Sequence, residues 1–124
     1  MSANILIVDD EPNIVLSLEY LMKKAGYTVR TAANGEQALR DIEQQRPDLV
    51  LLDVMMPRVN GYAVCQALRE NPDYRDIRIL MLTARGRQVE QEKGMALGAD
   101  GYVTKPFATQ ALLDRVQALL DEPR

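Results

Sequence analysis

The sequence predicts an α/β domain built on a doubly wound sheet of five parallel strands with helices on both faces. Short apolar runs alternate five times with longer segments whose apolar residues recur at three- and four-residue steps. The central runs are apolar throughout, as strands buried on both faces must be. Helix-ending and turn residues fall between the two kinds of segment. With 124 residues, 47% of them hydrophobic, the chain can close a continuous core as one domain. Residues 1–124 are read as that single domain, with no output domain in the chain.

The first strand is NILIV (4–8), followed by a helix marked by Ile14, Leu18, Leu21, Met22 and Ala25 and stopped at Gly26. YTVRTA (27–32) is the second strand, and Asn34-Gly35 opens a helix carrying Ala38, Leu39 and Ile42. Pro47 precedes the third strand, DLVLL (48–52), and a third helix over about 61–70 is closed by Pro72. IRILML (77–82) is the fourth strand. RGRQVEQEKGMALGA (85–99) is a weak fourth helix, charged over much of its surface, with Gly86 and Gly94 inside it, each costing about 1 kcal/mol against alanine. It is expected to shift between arrangements. DGYV (100–103) is the last strand, and Leu112, Leu113, Val116 and Leu120 mark the last helix. Right-handed crossovers then lay the helices alternately on the two faces.

Composition removes several function classes. A net charge of −3 with scattered Lys and Arg leaves no basic footprint, so direct nucleic-acid binding is not expected. One cysteine, Cys65, and no histidine rule out an internal disulfide and the usual zinc sites, and Cys65 sits in an apolar stretch suited to a packed thiol. No apolar run reaches the roughly 18 residues of a membrane span, and the amino-terminal sequence has neither the basic lead nor the cleavage site of an export signal. A cytoplasmic protein that does not enter a membrane is expected.

The residues ILIVDDEPN (5–13) pose the sharpest question, because three acids crowd the end of a hydrophobic run. Helix capping is one answer, since Asp accepts from free N–H groups and Pro12 suits a first turn. A parallel sheet supplies another. Residues just past the strand C-termini gather on one edge, where open α/β folds bind ligands, and that edge collects Asp9, Asp10, Asp53, Thr83 and Lys105-Pro106. Three neighbouring carboxylates cannot all stay ionised in a partly dry crevice without a cation. An all-oxygen set suits Mg²⁺, with Mn²⁺ as its expected substitute. Lys105 adds a fixed positive charge and Thr83 a donor for an oxyanion, so Asp53 can act as a carboxylate nucleophile toward phosphorus.

These motifs together, LIVDDE (6–11), LLDVMMPRVNG (51–61), MLTA (81–84) and ALGADGYVTKPF (96–107), in this order and spacing, strongly resemble the receiver domain of bacterial two-component response regulators. The resemblance implies a flavodoxin-like strand order 2-1-3-4-5. It implies that Asp53 takes a phosphoryl group from the phosphohistidine of a sensor histidine kinase or phosphotransfer protein. Asp10, Asp53 and the backbone carbonyl of Met55 would hold Mg²⁺, with Asp9 helping through water. Lys105 would pair with the phosphate across a cis bond to Pro106, and Thr83 and Tyr102 would switch position. Ala84 and Arg85 follow the switch threonine. Such a chain helps catalyse its own phosphorylation and dephosphorylation and turns over no external substrate. Its output would be a downstream protein docking on the surface of the fourth helix, fifth strand and fifth helix, from a monomer or a weak phosphorylation-dependent dimer.

Departures from the family pattern are informative. Gly101 and Ala111 stand where receivers of winged-helix transcription factors carry acids, so Arg115 lacks partners of the usual charged dimer. Val59 stands where Met or Leu is common. Bulky Met55 and Arg85 flank the path of a hydrolytic water and should prolong the phosphoryl lifetime. The alternatives are a receiver fragment of a longer transcriptional regulator, or an aspartyl-phosphate hydrolase of the haloacid type, whose DxDx[TV] motif LLDVMMP lacks. A flavin or dinucleotide module shares the architecture, but the chain contains no GxGxxG.

Overall fold

The computed structural model describes residues 3–84 and 86–123. Strands and helices alternate as β1 Asn4–Val8, α1 Pro12–Lys24, β2 Thr28–Ala32, α2 Gly35–Gln44, β3 Leu49–Asp53, α3 Gly61–Glu70, β4 Arg78–Ala84, α4 Gln88–Ala96, β5 Gly101–Lys105 and α5 Thr109–Asp121. All strand pairs are parallel, in the order β2-β1-β3-β4-β5. The expected order is therefore observed.

Alternation along each strand divides the core into two layers. Ile5, Ile7, Leu49, Leu51, Leu80 and Leu82 face Leu18 and Met22 of α1 and Leu112, Val116 and Leu119 of α5. Leu6, Val8, Val50, Leu52, Ile79 and Met81 face Ala38 and Ile42 of α2 and Val64, Cys65 and Leu68 of α3. A slip of one residue in any central strand would exchange the two sets, which differ in shape, so the register is strongly specified. Each fully buried Leu or Ile contributes about 1.5–3 kcal/mol.

Local signals account for some of the boundaries. The side chain of Asn34 accepts from Gln37 N–H and starts α2, while Asn60 accepts from Ala63 N–H and starts α3. Gly26, at φ 99°, turns the chain out of α1. Several boundaries differ from the sequence expectation. Strand β4 reaches Ala84 and β5 reaches Lys105, because Thr83 and Ala84 pair with Thr104 and Lys105. Asp53 likewise remains in the ladder opposite Leu82. Asp53, Thr83 and Lys105 are thus anchored in hydrogen-bonded strands, while Asp9 and Asp10 lie just past the end of β1. The fourth helix occupies only Gln88–Ala96 of the expected segment, with Gly86 (φ 79°) left outside it.

Candidate functional site

The C-terminal edge of the sheet gathers Asp9, Asp53, Thr83 and Lys105 from four adjacent strands. Asp9 and Asp53 are buried, at 1% and 5% exposure, whereas Asp10 faces solvent. Carboxylate oxygens of Asp9, Asp10 and Asp53 all lie within 4.8 Å of one another. Lys105 Nζ approaches Asp9 Oδ2 at 2.9 Å, Asp53 Oδ1 at 3.2 Å and Glu11 Oε1 at 3.5 Å. One ammonium therefore faces three acids.

Electrostatics record the imbalance. The Asp53 carboxyl is pushed up to about 6 from its ordinary 3.8, first by burial and then by the charge of Asp9, with Lys105 pulling the other way and Asp10 adding to the rise. Burial pulls the Lys105 ammonium down, but its close approach to Asp9 and the charges of Asp53 and Asp9 outweigh this and hold it above the usual lysine value. Asp9 Oδ1 accepts from Glu11 N–H at 2.9 Å. Its Oδ2, although an ion-pair partner of Lys105, has no partner in hydrogen-bond geometry. A buried, under-satisfied carboxylate oxygen facing two other acids fits a hard divalent cation, and the donor set is oxygen alone. The pocket is an acidic site of the kind that suits Mg²⁺.

Capping explains little of the acid cluster. Glu11 occupies the N-cap of α1 without a side-chain cap hydrogen bond, and Pro12 follows it at the first helical position. Asp9 turns inward instead, while Asp10 and Glu11 remain exposed at the rim.

The loop from Val54 to Asn60 leads from β3 to α3 and carries Met55, which is 63% exposed two residues after Asp53. Two glycines seat this loop. A Cβ on Gly61 would collide with the carbonyl oxygen of Asp53, and one on Gly35 with the carbonyl oxygen of Val59. Gly61 N–H also donates to Val54 O at 3.1 Å. These seats were not anticipated from sequence, where both glycines read only as helix starts.

The remaining expected residues are placed as follows. Thr83 is buried, and its hydroxyl lies 3.5 Å from Val103 O and 3.5 Å from Gln91 Nε2. Tyr102 is 41% exposed on β5, so its ring is on the outward side. The Lys105–Pro106 bond is cis. Ala84 ends β4 and is exposed. Arg85, expected to flank the hydrolytic path, lies outside the described residues. Gln91 joined the site without a sequence signal of its own, because it enters only through the packing of α4 against β4; Glu11, one of the three acids after the first strand, joins it through Lys105.

Comparison with known proteins agrees with this geometry. Residues 5–117 match the model of the response regulator receiver domain. The chain is 45% identical over 120 residues to the alkaline phosphatase synthesis transcriptional regulatory protein PhoP of Bacillus subtilis, covering 97% of this chain and 49% of that protein. A solved structure described as a response regulator from Chloroflexus aurantiacus superposes with a TM-score of 0.96 at 39% identity, covering 98% of this chain and all of that one. The receiver domain of sensor histidine kinase PA1611 from Pseudomonas aeruginosa has a magnesium ion coordinated in its active-site cleft. It is 31% identical with a TM-score of 0.90, over 98% of this chain and all of that one.

These relatives overturn one expectation. A downstream docking protein and no direct nucleic-acid binding were expected, yet the curated relatives are named transcriptional regulators, and the chain spans about half of their length. Net charge over a receiver reports only on the receiver's own surface, so the missing basic footprint was no guide to output. Among the described residues no helix is long and apolar enough to cross a membrane. With a family match across 5–117, a parallel sheet in the order 2-1-3-4-5 and an acid pocket at its edge, the chain belongs to the response regulator receiver domain family.

Proposed function

We propose that Asp53 accepts a phosphoryl group from the phosphohistidine of a partner kinase or phosphotransfer protein. One observation carries this reading: a buried carboxylate, Asp53, lies 3.2 Å from an ammonium and within 4.8 Å of two further acids at the open edge of the sheet. An Asp53 carboxylate oxygen attacks phosphorus, the P–N bond breaks, its electron pair leaves with the imidazole, and an acyl phosphate forms. Asp10, Asp53 and the Met55 carbonyl would hold a divalent ion, with Asp9 helping through water, and that ion would supply charge neutralisation for the transferring oxygens. Mg²⁺ fits this role, and Mn²⁺ substitutes for it.

The chain's own residues do the rest. Lys105 is already aimed at Asp53 and pairs with a phosphate oxygen as the group arrives. Thr83 donates its hydroxyl proton to another, and Tyr102 turns inward as Thr83 moves. Water attack on phosphorus later releases phosphate and restores the carboxylate, past a path that Met55 narrows. The chain thereby assists its own phosphorylation and dephosphorylation. About two added negative charges bias the surface formed by α4, β5 and α5. The names of the curated relatives support an output in gene expression.

Intact mass after incubation with acetyl phosphate tests the reading. Wild type should gain one phosphoryl group only when Mg²⁺ is present, and Asp53→Asn should gain none. Labelling of Asp53→Asn equal to wild type would overturn the assignment.

A further inference from the structure

We infer that Gln91 is a positioning residue that holds Thr83 in its resting orientation and so sets how readily the pocket captures a phosphoryl group. The inference rests on the proposed phosphoacceptor role of Asp53 and deepens it.

A threonine hydroxyl has one proton to donate. In this structure Thr83 Oγ1 directs it toward Val103 O, 3.5 Å away on β5. Its lone pairs face Gln91 Nε2, also at 3.5 Å. The amide can only donate in this arrangement, because the hydroxyl proton is already directed to the carbonyl. Among the described residues the hydroxyl partners of Thr83 therefore lie on β5 and α4, not on Asp53. To hydrogen-bond a phosphoryl oxygen, Thr83 must withdraw its proton from Val103 and break with Gln91. Thr83 itself is 1% exposed, so water does not readily replace either partner.

Gln91 is well placed for such a role. It lies at the end of the first turn of α4, where its backbone N–H donates to Arg87 O at 3.2 Å. It is half-buried between that helix and β4. Both contacts are long, near the outer limit of a hydrogen bond, so each is weak. A weak restraint suits a residue that must release.

The test is a titration of beryllofluoride, a phosphoryl mimic, at saturating Mg²⁺, following the fluorine resonance of the bound species. Gln91→Ala and Gln91→Leu each remove the N–H donor, the second at nearly constant length. Both should bind beryllofluoride about two- to fivefold more tightly than wild type. In a Thr83→Ala background the same substitutions should change nothing, because the hydroxyl they act on is gone. A purely structural role would weaken capture or leave it unchanged, and would persist without Thr83. Unchanged or weaker binding by both Gln91 variants would overturn the inference, as would a gain that survives Thr83→Ala. Failure of wild type to bind beryllofluoride would instead overturn the phosphoacceptor reading beneath it.

Discussion

Gly61 carries more of the site than its single hydrogen atom implies. Its Cα sits so near the Asp53 carbonyl that any side chain must push β3 or the start of α3 aside. Gly61→Ala should therefore destabilise the fold by about 1–3 kcal/mol and weaken beryllofluoride capture as well, which urea unfolding and fluorine resonance would measure separately. At Met55 the expectation concerns lifetime. Met55→Asn removes an exposed apolar barrier beside the acyl phosphate and should speed its hydrolysis a few-fold, a barrier change of roughly 1 kcal/mol, read by phosphate release. Of the residues at this scale, the gathering of Asp9, Asp10, Asp53 and Lys105 was legible in sequence, because parallel strands bring their C-terminal ends to one edge. Gly61 and Gln91 were not. Their roles depend on how closely one element approaches another, and spacing along the chain does not encode that distance.

Helix α4 shows how a weak periodic signal can be an accurate one. Its buried residues are only Glu90 and Gly94, and the Oε1 of Glu90 lacks a hydrogen-bond partner although Arg87 pairs with the same carboxylate. Helix α5, by contrast, buries Leu112, Val116 and Leu119. Amide exchange should accordingly be faster across Gln88–Ala96 than across Thr109–Asp121. A Cβ added at Gly94 would meet Met81 at an ordinary 3.5 Å, so Gly94→Ala fits without displacement. It should stabilise α4 by about 0.5–1 kcal/mol and slow exchange there, and equal rates in the two proteins would count against this account. Strand existence was readable from alternation and punctuation, whereas strand order came only from the family resemblance. The strand ends were not readable, because β4 and β5 prolong one another by pairing and neither end has its own sequence mark.

At the scale of the whole molecule the acid pocket opposes folding, and pH reveals by how much. A carboxyl held at about 6 when folded, against an ordinary 3.8, keeps its proton more tightly in the native state. Its contribution is therefore most favourable below the lower value and is lost as pH rises through the higher one. Asp53→Asn should raise the melting temperature of metal-free protein at pH 7.5 by several degrees, about 1–3 kcal/mol, and the gain should vanish near pH 4. Magnesium should stabilise wild type at neutral pH far more than the variant. The output expectation failed for a related reason of scale: the charge of one domain was read as the charge of a whole protein. Finally, because the reactive groups share one rim of the sheet, the opposite rim is free for engineering. An affinity tag or reporter domain spliced into the exposed turn Lys24–Gly26 would leave catalysis and its readout undisturbed, making that corner a natural handle for biosensors.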